Sequence, residues 1–214
     1  MKAVFFDWDG TLVDSLPLLF AAHNHVRANM GLPLWTREEY AEAIVYSTRE
    51  LYPKIYGEKS EEAQEMLYSY VQENHLKELI LIEGAREVLE YLAEKSVPMG
   101  LVSNKRHDVL RREVEHLGWQ KFFGVYNGAG AAPRDKPSGE PILYAIGLHP
   151  DKPDIGNVIY VGDTESDLSA AKEAGCPVIF IRHGKDAEAL ISLYKPAYVV
   201  DSLAELKEVL IKTL

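Results

Sequence analysis

The sequence predicts an α/β fold: a doubly wound parallel sheet with a helical cap inserted after its first strand. Three observations predict it. The chain opens on an apolar run, Ala3-Val4-Phe5-Phe6, that does not alternate with polar residues, as expected of a strand covered on both faces of a parallel sheet. From about residue 83 onward, short apolar runs alternate with helical patterns, which implies parallel strands joined by right-handed crossovers. Between the two, about 17–82 is helical in pattern and carries no strand-like run.

The first strand spans Lys2 to Asp7. Ser15, with Pro17 in the first turn, opens a helix that carries Leu18, Leu19, Ala22 and Val26 and stops at Gly31-Leu32-Pro33. Thr36 and Glu39 form a T-x-x-E capping box for a second helix, to about Leu51. Gly57 breaks that stretch, and Ser60 starts a third helix, to about Leu79. After Glu83-Gly84 the rhythm changes. Helix 85–95 leads to strand 97–103, helix 107–117 to strand 122–127, helix 140–147 to strand 157–162, and helix 166–174 to strand 177–182. Strand 197–200 and helix 203–212 complete the chain given. The domains expected are an α/β core of 1–16 with 83–214, and a helical cap of 17–82. The alternative is one larger α/β domain with additional peripheral helices.

At 214 residues the chain suits one domain, or one core domain carrying a smaller insertion. With 47% hydrophobic and 26% charged residues it has a globular composition, able to build a core without disulfides. The single cysteine, Cys176, cannot form an intrachain bridge, which fits a reducing cytoplasm. No signal-peptide pattern precedes Asp7, and no apolar run approaches the length of a membrane span. A net charge of −10 argues against nucleic acid or an anionic membrane as the partner.

In an open parallel sheet, ligands bind beyond the carboxyl ends of the strands. The first strand is followed by Asp7-Trp8-Asp9-Gly10-Thr11, and the second by Ser103-Asn104. After the third comes a Gly/Ala-rich loop ending in Arg134-Asp135-Lys136-Pro137, and after the fourth Gly162-Asp163-Thr164-Glu165-Ser166-Asp167. Asp7, Asp9, Asp163 and Asp167 would converge there, and such crowded carboxylates stay ionised only if a cation joins them. Hard oxygen ligands of this kind suit Mg²⁺. The hydroxyl, the amide, the lysine ammonium and the helix-start N–H groups are phosphate-binding types. Together they describe phosphoryl transfer through an aspartyl-phosphate.

DWDGTLVDS, the Ser-Asn pair after a strand, Lys136-Pro137 and GDTESDLSAAKEAG resemble, in that order and spacing, the four motifs of the haloacid dehalogenase superfamily of phosphohydrolases. The resemblance covers essentially the whole core, and the helical insertion sits where that family carries its cap. It implies that Asp7 is the nucleophile, and that Asp9 protonates the leaving oxygen and then helps deprotonate water. It implies Mg²⁺ bound by the side chains of Asp7 and Asp163 and by the backbone carbonyl of Asp9. Ser103, Asn104 and Lys136 would hold phosphate, with Gly10 allowing the sharp turn and Thr11 holding the loop or touching phosphate. Asp167 would stand behind the metal, fixing its waters or Lys136.

Each residue also has a structural alternative. Asp7 and Asp9 could form a solvated Asp-Gly turn. Asp163 and Asp167 could cap the helix at 166–174, and Ser103 and Asn104 could be ordinary caps. Lys136 competes with Arg134 and Lys105, and a loop lysine is usually solvated. In the cap, Arg49 is a candidate clamp for a substrate anion or a solvated side chain. His23 and His25 could face a cleft or stand in solvent. Trp35, Tyr40, Tyr46, Tyr52, Tyr56, Tyr68 and Tyr70 read as packing, as does Trp8.

The leading expectation is a Mg²⁺-dependent phosphatase acting on a small phosphorylated metabolite. The acid/base position held by Asp9 disfavours dehalogenation. No cap lysine, among Lys54, Lys59 and Lys77, is marked for Schiff-base chemistry. A sugar phosphomutase on the same core is the alternative enzyme. A non-catalytic binding module is the alternative from another class, since function lives in the site rather than in the fold.

Overall fold

A computed structural model describes residues 2–43, 48–184 and 186–214, with the side chains of 48–50 outside the described set. The chain divides into two compact units, Met1–Asp14 with Ile80–Leu214, and Ser15–Leu79.

The first unit is built on a six-stranded sheet. Its strands are β1 (Ala3–Phe6), β4 (Met99–Arg106), β5 (Val125–Ala129), β6 (Val158–Gly162), β7 (Val178–Ile181) and β8 (Tyr198–Val200). They lie in the order β5-β4-β1-β6-β7-β8, and every pairing is parallel. The chain winds outward from β1 in one direction and then in the other, so the order reverses beside β1, where open α/β sheets bind ligands. All four residues of β1 are buried. Phe5 packs with Val102 and Tyr160 on one face, against residues of α7 (Glu140–Leu148), α8 (Glu165–Ala174) and α9 (Ala187–Tyr194). Val4, Phe6, Leu101 and Val161 are buried on the other face. There α5 (Ala85–Glu94), α6 (His107–His116) and α10 (Leu203–Thr213) bring the apolar rows Val88/Leu92, Leu110/Val114 and Leu206/Leu210. Two covered faces explain why β1 has no alternating pattern.

The sequence reading differs from the structure at several points, among them the strand read as 97–103, which runs Met99–Arg106. Phe122 and Phe123 belong to a turn after α6, with Phe122 stacked edge-on against Trp119, so β5 begins only at Val125. Residues Val13–Asp14 (β2) and Ile80–Leu81 (β3) form a two-stranded antiparallel ladder, too short to show a period of two. The third helix of the insertion ends at Asn74, several residues before β3.

The second unit contains α1 (Leu16–Asn29), α2 (Arg37–Ala43), α3 (Thr48–Tyr56) and α4 (Ser60–Asn74). Residues 44–47, including Tyr46, lie outside the described residues; α3 runs past Leu51 to the residue before Gly57. The capping box at α2 is formed, with Thr36 N donating to Glu39 Oε2 at 2.8 Å and Glu39 N to Thr36 Oγ1 at 3.2 Å. Ala22, Val26, Tyr52, Ala63 and Leu67 make the core of this unit. His25 is exposed beside Tyr70.

His23 is buried, its Nδ1 lying 3.0 Å from the Tyr52 hydroxyl. Burial pushes its pKa from 6.5 down to about 4. The folded unit therefore holds a neutral imidazole that the unfolded chain protonates more readily. Stability from this group is complete above the unfolded pKa and falls as pH drops toward 4, by about 2 kcal/mol at pH 5. His23→Gln is expected to be less stable at pH 7 and to lose less between pH 7 and pH 5, as read by urea unfolding at both. An equal loss in the two proteins would remove His23 as the cause.

Among the described residues, no helix is long and apolar enough to cross a membrane.

Candidate active site

The loop after β1 is wound tightly. Asp7 N donates to Val161 O at 2.8 Å, which fixes the end of β1 on β6. The Trp8 carbonyl then accepts N–H groups from Thr11, Leu12 and Val13 at 3.3, 2.9 and 3.1 Å. Gly10 makes this turn at φ +80°, and a Cβ built there would meet Asp163 Oδ2 at 2.2 Å. Both the backbone conformation and the neighbouring carboxylate exclude a side chain.

Four of the expected residues come together at the carboxyl ends of β1 and β6. Lys136 Nζ, buried, donates to Asp7 Oδ1 at 2.7 Å and to Asp167 Oδ1 at 2.6 Å. Oxygens of Asp7, Asp163 and Asp167 lie within 4.8 Å of one another. Gly162 permits this approach, because a Cβ there would sit 2.4 Å from Asp167 Cβ. Asp167 both caps a helix and accepts from the lysine. Its Oδ2 accepts from Thr164 N at 3.0 Å and from Thr164 Oγ1 at 2.6 Å, capping α8, while its Oδ1 takes Lys136.

One lysine cannot neutralise three carboxylates, of which Asp7 and Asp167 are buried and Asp163 half-buried. Burial, opposed by Lys136 and reinforced by Asp167, pushes Asp7 up to about 7. Burial, then the charges of Asp167 and Asp7, push Asp163 up to about 8. Asp167 is buried too, yet Lys136 and the Thr164 hydrogen bonds hold it below its usual range. The unmet negative charge thus falls on Asp7 and Asp163, the two side chains expected to hold Mg²⁺. Hard oxygen donors in this state fit a divalent cation. Both oxygens of Asp167 are already engaged, which suits it to fixing Lys136.

Other residues take more specific tasks than the sequence indicates. Thr11, fully buried, donates to Asp163 Oδ1 at 3.1 Å, the loop-holding one of its two expected roles. Asn104 clamps the Lys136 backbone: its Nδ2 donates to Lys136 O at 2.8 Å, and its Oδ1 accepts from Lys136 N at 3.0 Å. Ser103 is buried, and its Oγ accepts Lys105 N at 3.2 Å, so its own proton can point elsewhere. The Lys136–Pro137 peptide is cis. The Arg49 side chain lies outside the described residues.

Tyr160 and Glu113 are missing from the sequence reading, and Lys105 and Trp8 take partners it did not give them. Tyr160 of β6, fully buried, donates to Val102 O at 2.8 Å, and its hydroxyl lies 3.2 Å from both Lys136 Nζ and Asp167 Oδ1. Lys105, read as a competitor of Lys136, instead reaches Asp9 Oδ1 and Glu113 Oε2, each at 2.8 Å. Burial lowers the Lys105 pKa, but Asp9 and Glu113 outweigh it and raise the group overall. Trp8 does pack, edge-on to Trp119 at 5.8 Å, and also donates to Glu113 Oε2 at 2.6 Å.

A family model described as haloacid dehalogenase-like hydrolase matches residues 4–181. The chain is 31% identical to a phosphoglycolate phosphatase of Chromobacterium violaceum over 98% of this chain and 96% of that one. It is 28% identical to the phosphoglycolate phosphatase of Escherichia coli K12, over 96% and 91% of the two chains. Among solved structures, a Thermotoga maritima chain described as a beta-phosphoglucomutase superposes with a TM-score of 0.85 at 24% identity, covering 100% of both chains.

Proposed function

The chain belongs to the haloacid dehalogenase-like hydrolases and is a phosphoric monoester hydrolase, and from that premise we propose that it hydrolyses a small phosphorylated metabolite through an aspartyl-phosphate on Asp7. The observation that carries this reading is the buried Lys136 ammonium bridging Asp7 and Asp167, with Asp163 alongside.

In the first step the Asp7 carboxylate attacks phosphorus, the P–O bond to the leaving group breaks, and Asp9 delivers a proton to the departing oxygen. In the second, Asp9 takes a proton from water as that water attacks the phosphoryl group, and Asp7 leaves as a carboxylate. Lys136 neutralises charge shared by Asp7 and the phosphoryl oxygens, while Asp167 and Tyr160 keep its ammonium in place. Ser103 donates its hydroxyl proton to phosphate, and Asn104 holds the Lys136 backbone. Asp7, Asp163 and the Asp9 carbonyl would hold Mg²⁺, which supplies positive charge to the phosphoryl group. The α/β unit is then the catalytic core and the helical unit a cap, in which Arg49 is a candidate for a substrate anion. The single buried thiol, Cys176, fits a cytoplasmic setting.

The names of the curated relatives make phosphoglycolate the first substrate to assay. With Mg²⁺, purified protein is expected to release inorganic phosphate from a panel of phosphorylated metabolites, and EDTA to stop it. Accumulation of an isomerised sugar phosphate without free phosphate would instead establish a mutase. No turnover of any phosphomonoester would refute the proposal.

A further inference from the structure

Beyond the three carboxylates and Lys136, the α/β unit holds a second buried ionic group around the reactive loop. Glu113, on α6, is fully buried. Its Oε2 accepts two donors, Trp8 Nε1 at 2.6 Å and Lys105 Nζ at 2.8 Å. The same Lys105 ammonium, on a side chain only 10% exposed, continues to Asp9 Oδ1 at 2.8 Å. Asp9 itself is 31% exposed and so keeps access to solvent. The register between β4 and β5 shifts between Val102 and Arg106, the stretch that contains Lys105. Irregularities of this kind re-aim side chains beside functional sites.

We propose that Lys105 is a positioning residue for Asp9, anchored by Glu113, and that Trp8 fixes the same loop to the same carboxylate. The inference rests on Asp9 being the acid/base of the proposed reaction.

The argument is one of restraint. Asp9 has a rotatable side chain at a partly open position, and an acid/base group must stand within hydrogen-bond reach of the proton it moves. A buried lysine shared with a second, fully buried carboxylate cannot follow Asp9 outward without giving up its bond to Glu113. Glu113 is held in turn by α6 and by the Trp8 indole, so Asp9 inherits the rigidity of the helix. Trp8 also lies between Asp7 and Asp9 in the chain, so one Glu113 oxygen sets the loop at two points. An ion pair that only supported the fold would need no bond to Asp9, because Glu113 already has Lys105 and Trp8 as partners.

The test uses full-length, Mg²⁺-loaded protein with p-nitrophenyl phosphate. Asp9→Asn alone tests the underlying reading, and unchanged kcat there would overturn that reading rather than the brace. Given a loss in Asp9→Asn, Lys105→Met is expected to lower kcat by about 10- to 100-fold, the cost of a misplaced catalytic group, with KM changed less than about threefold. Lys105→Arg, which can still bridge two carboxylates, should recover most of it. In the Asp9→Asn background, Lys105→Met should cost almost nothing more, because residues acting as a unit are not additive. If Lys105→Met does not fold, Glu113→Gln replaces it: the amide oxygen still accepts the Trp8 N–H, but the charge holding Lys105 is gone. It should show the same kcat loss and the same non-additivity. Unchanged kcat in a folded Lys105→Met or Glu113→Gln variant, or losses that multiply with Asp9→Asn, would overturn the proposal.

Discussion

Asp7→Asn is expected to lower phosphate release by at least about 10⁴-fold, because an amide cannot form the acyl-phosphate and knockouts of catalytic nucleophiles cost this much or more. The fold should survive. Asn at this position still accepts a hydrogen bond from Lys136, and one of three crowded carboxylates is gone. Burial already holds Asp7 up to about 7, so the metal-free protein loses little by having it neutral. The melting temperature without Mg²⁺ should therefore stay level or rise while turnover disappears. Mass spectrometry after a rapid acid quench should find phosphate on wild-type Asp7 and none on the variant. A folded variant with substantial turnover would exclude Asp7 as nucleophile.

Lys136→Met should be costly in a different way. Lys136 stands between Asp7 and Asp167, with its side chain 3% exposed. Breaking a buried ion pair by removing one partner costs about 3–5 kcal/mol, because the remaining charge stays buried. The metal-free variant is expected to lose stability of this order in urea unfolding. Mg²⁺ should return part of it, since a ligand that binds only the folded state stabilises it. Turnover should fall by about 10²- to 10³-fold even with Mg²⁺ saturating, the range for loss of a preorganised charge at a transition state. A variant as stable as wild type without metal would mean that Lys136 is not the counter-charge for these carboxylates.

The fold class is legible because each apolar run after residue 83 is set off by turn residues and followed by a helical pattern. The loops beyond β1 and β6 are legible for the same reason: Asp7 and Gly162-Asp163 stand directly where an apolar run stops. The partners of the polar side chains are not legible in the same way. Thr11 bonded to Asp163 and Asn104 bonded to the Lys136 backbone look, in sequence, like phosphate donors, since a hydroxyl or amide serves either end equally. Tyr160 reads as strand filling, because only its hydroxyl tip meets the site. Glu113 hides among charged neighbours, yet it falls three residues after Leu110 and four after Val109, on the buried face of α6. That periodicity is the signal that could have found it. The β2–β3 ladder leaves no comparable signal, with two residues on each side.

Because β1 lies between β4 and β6, synthesis leaves it without neighbours for most of the chain. Strand β4 begins at Met99 and β6 at Val158, so β1 emerges with both edges open, while the contiguous stretch Ser15–Leu79 is complete much sooner. An apolar strand with open edges is a template for aggregation, and flanking charges are what natural sequences use to guard one. Lys2 stands on one side of Ala3–Phe6, and Asp7 and Asp9 on the other. Until β4 and β6 have been made, these charges flank the open strand where natural sequences place gatekeepers.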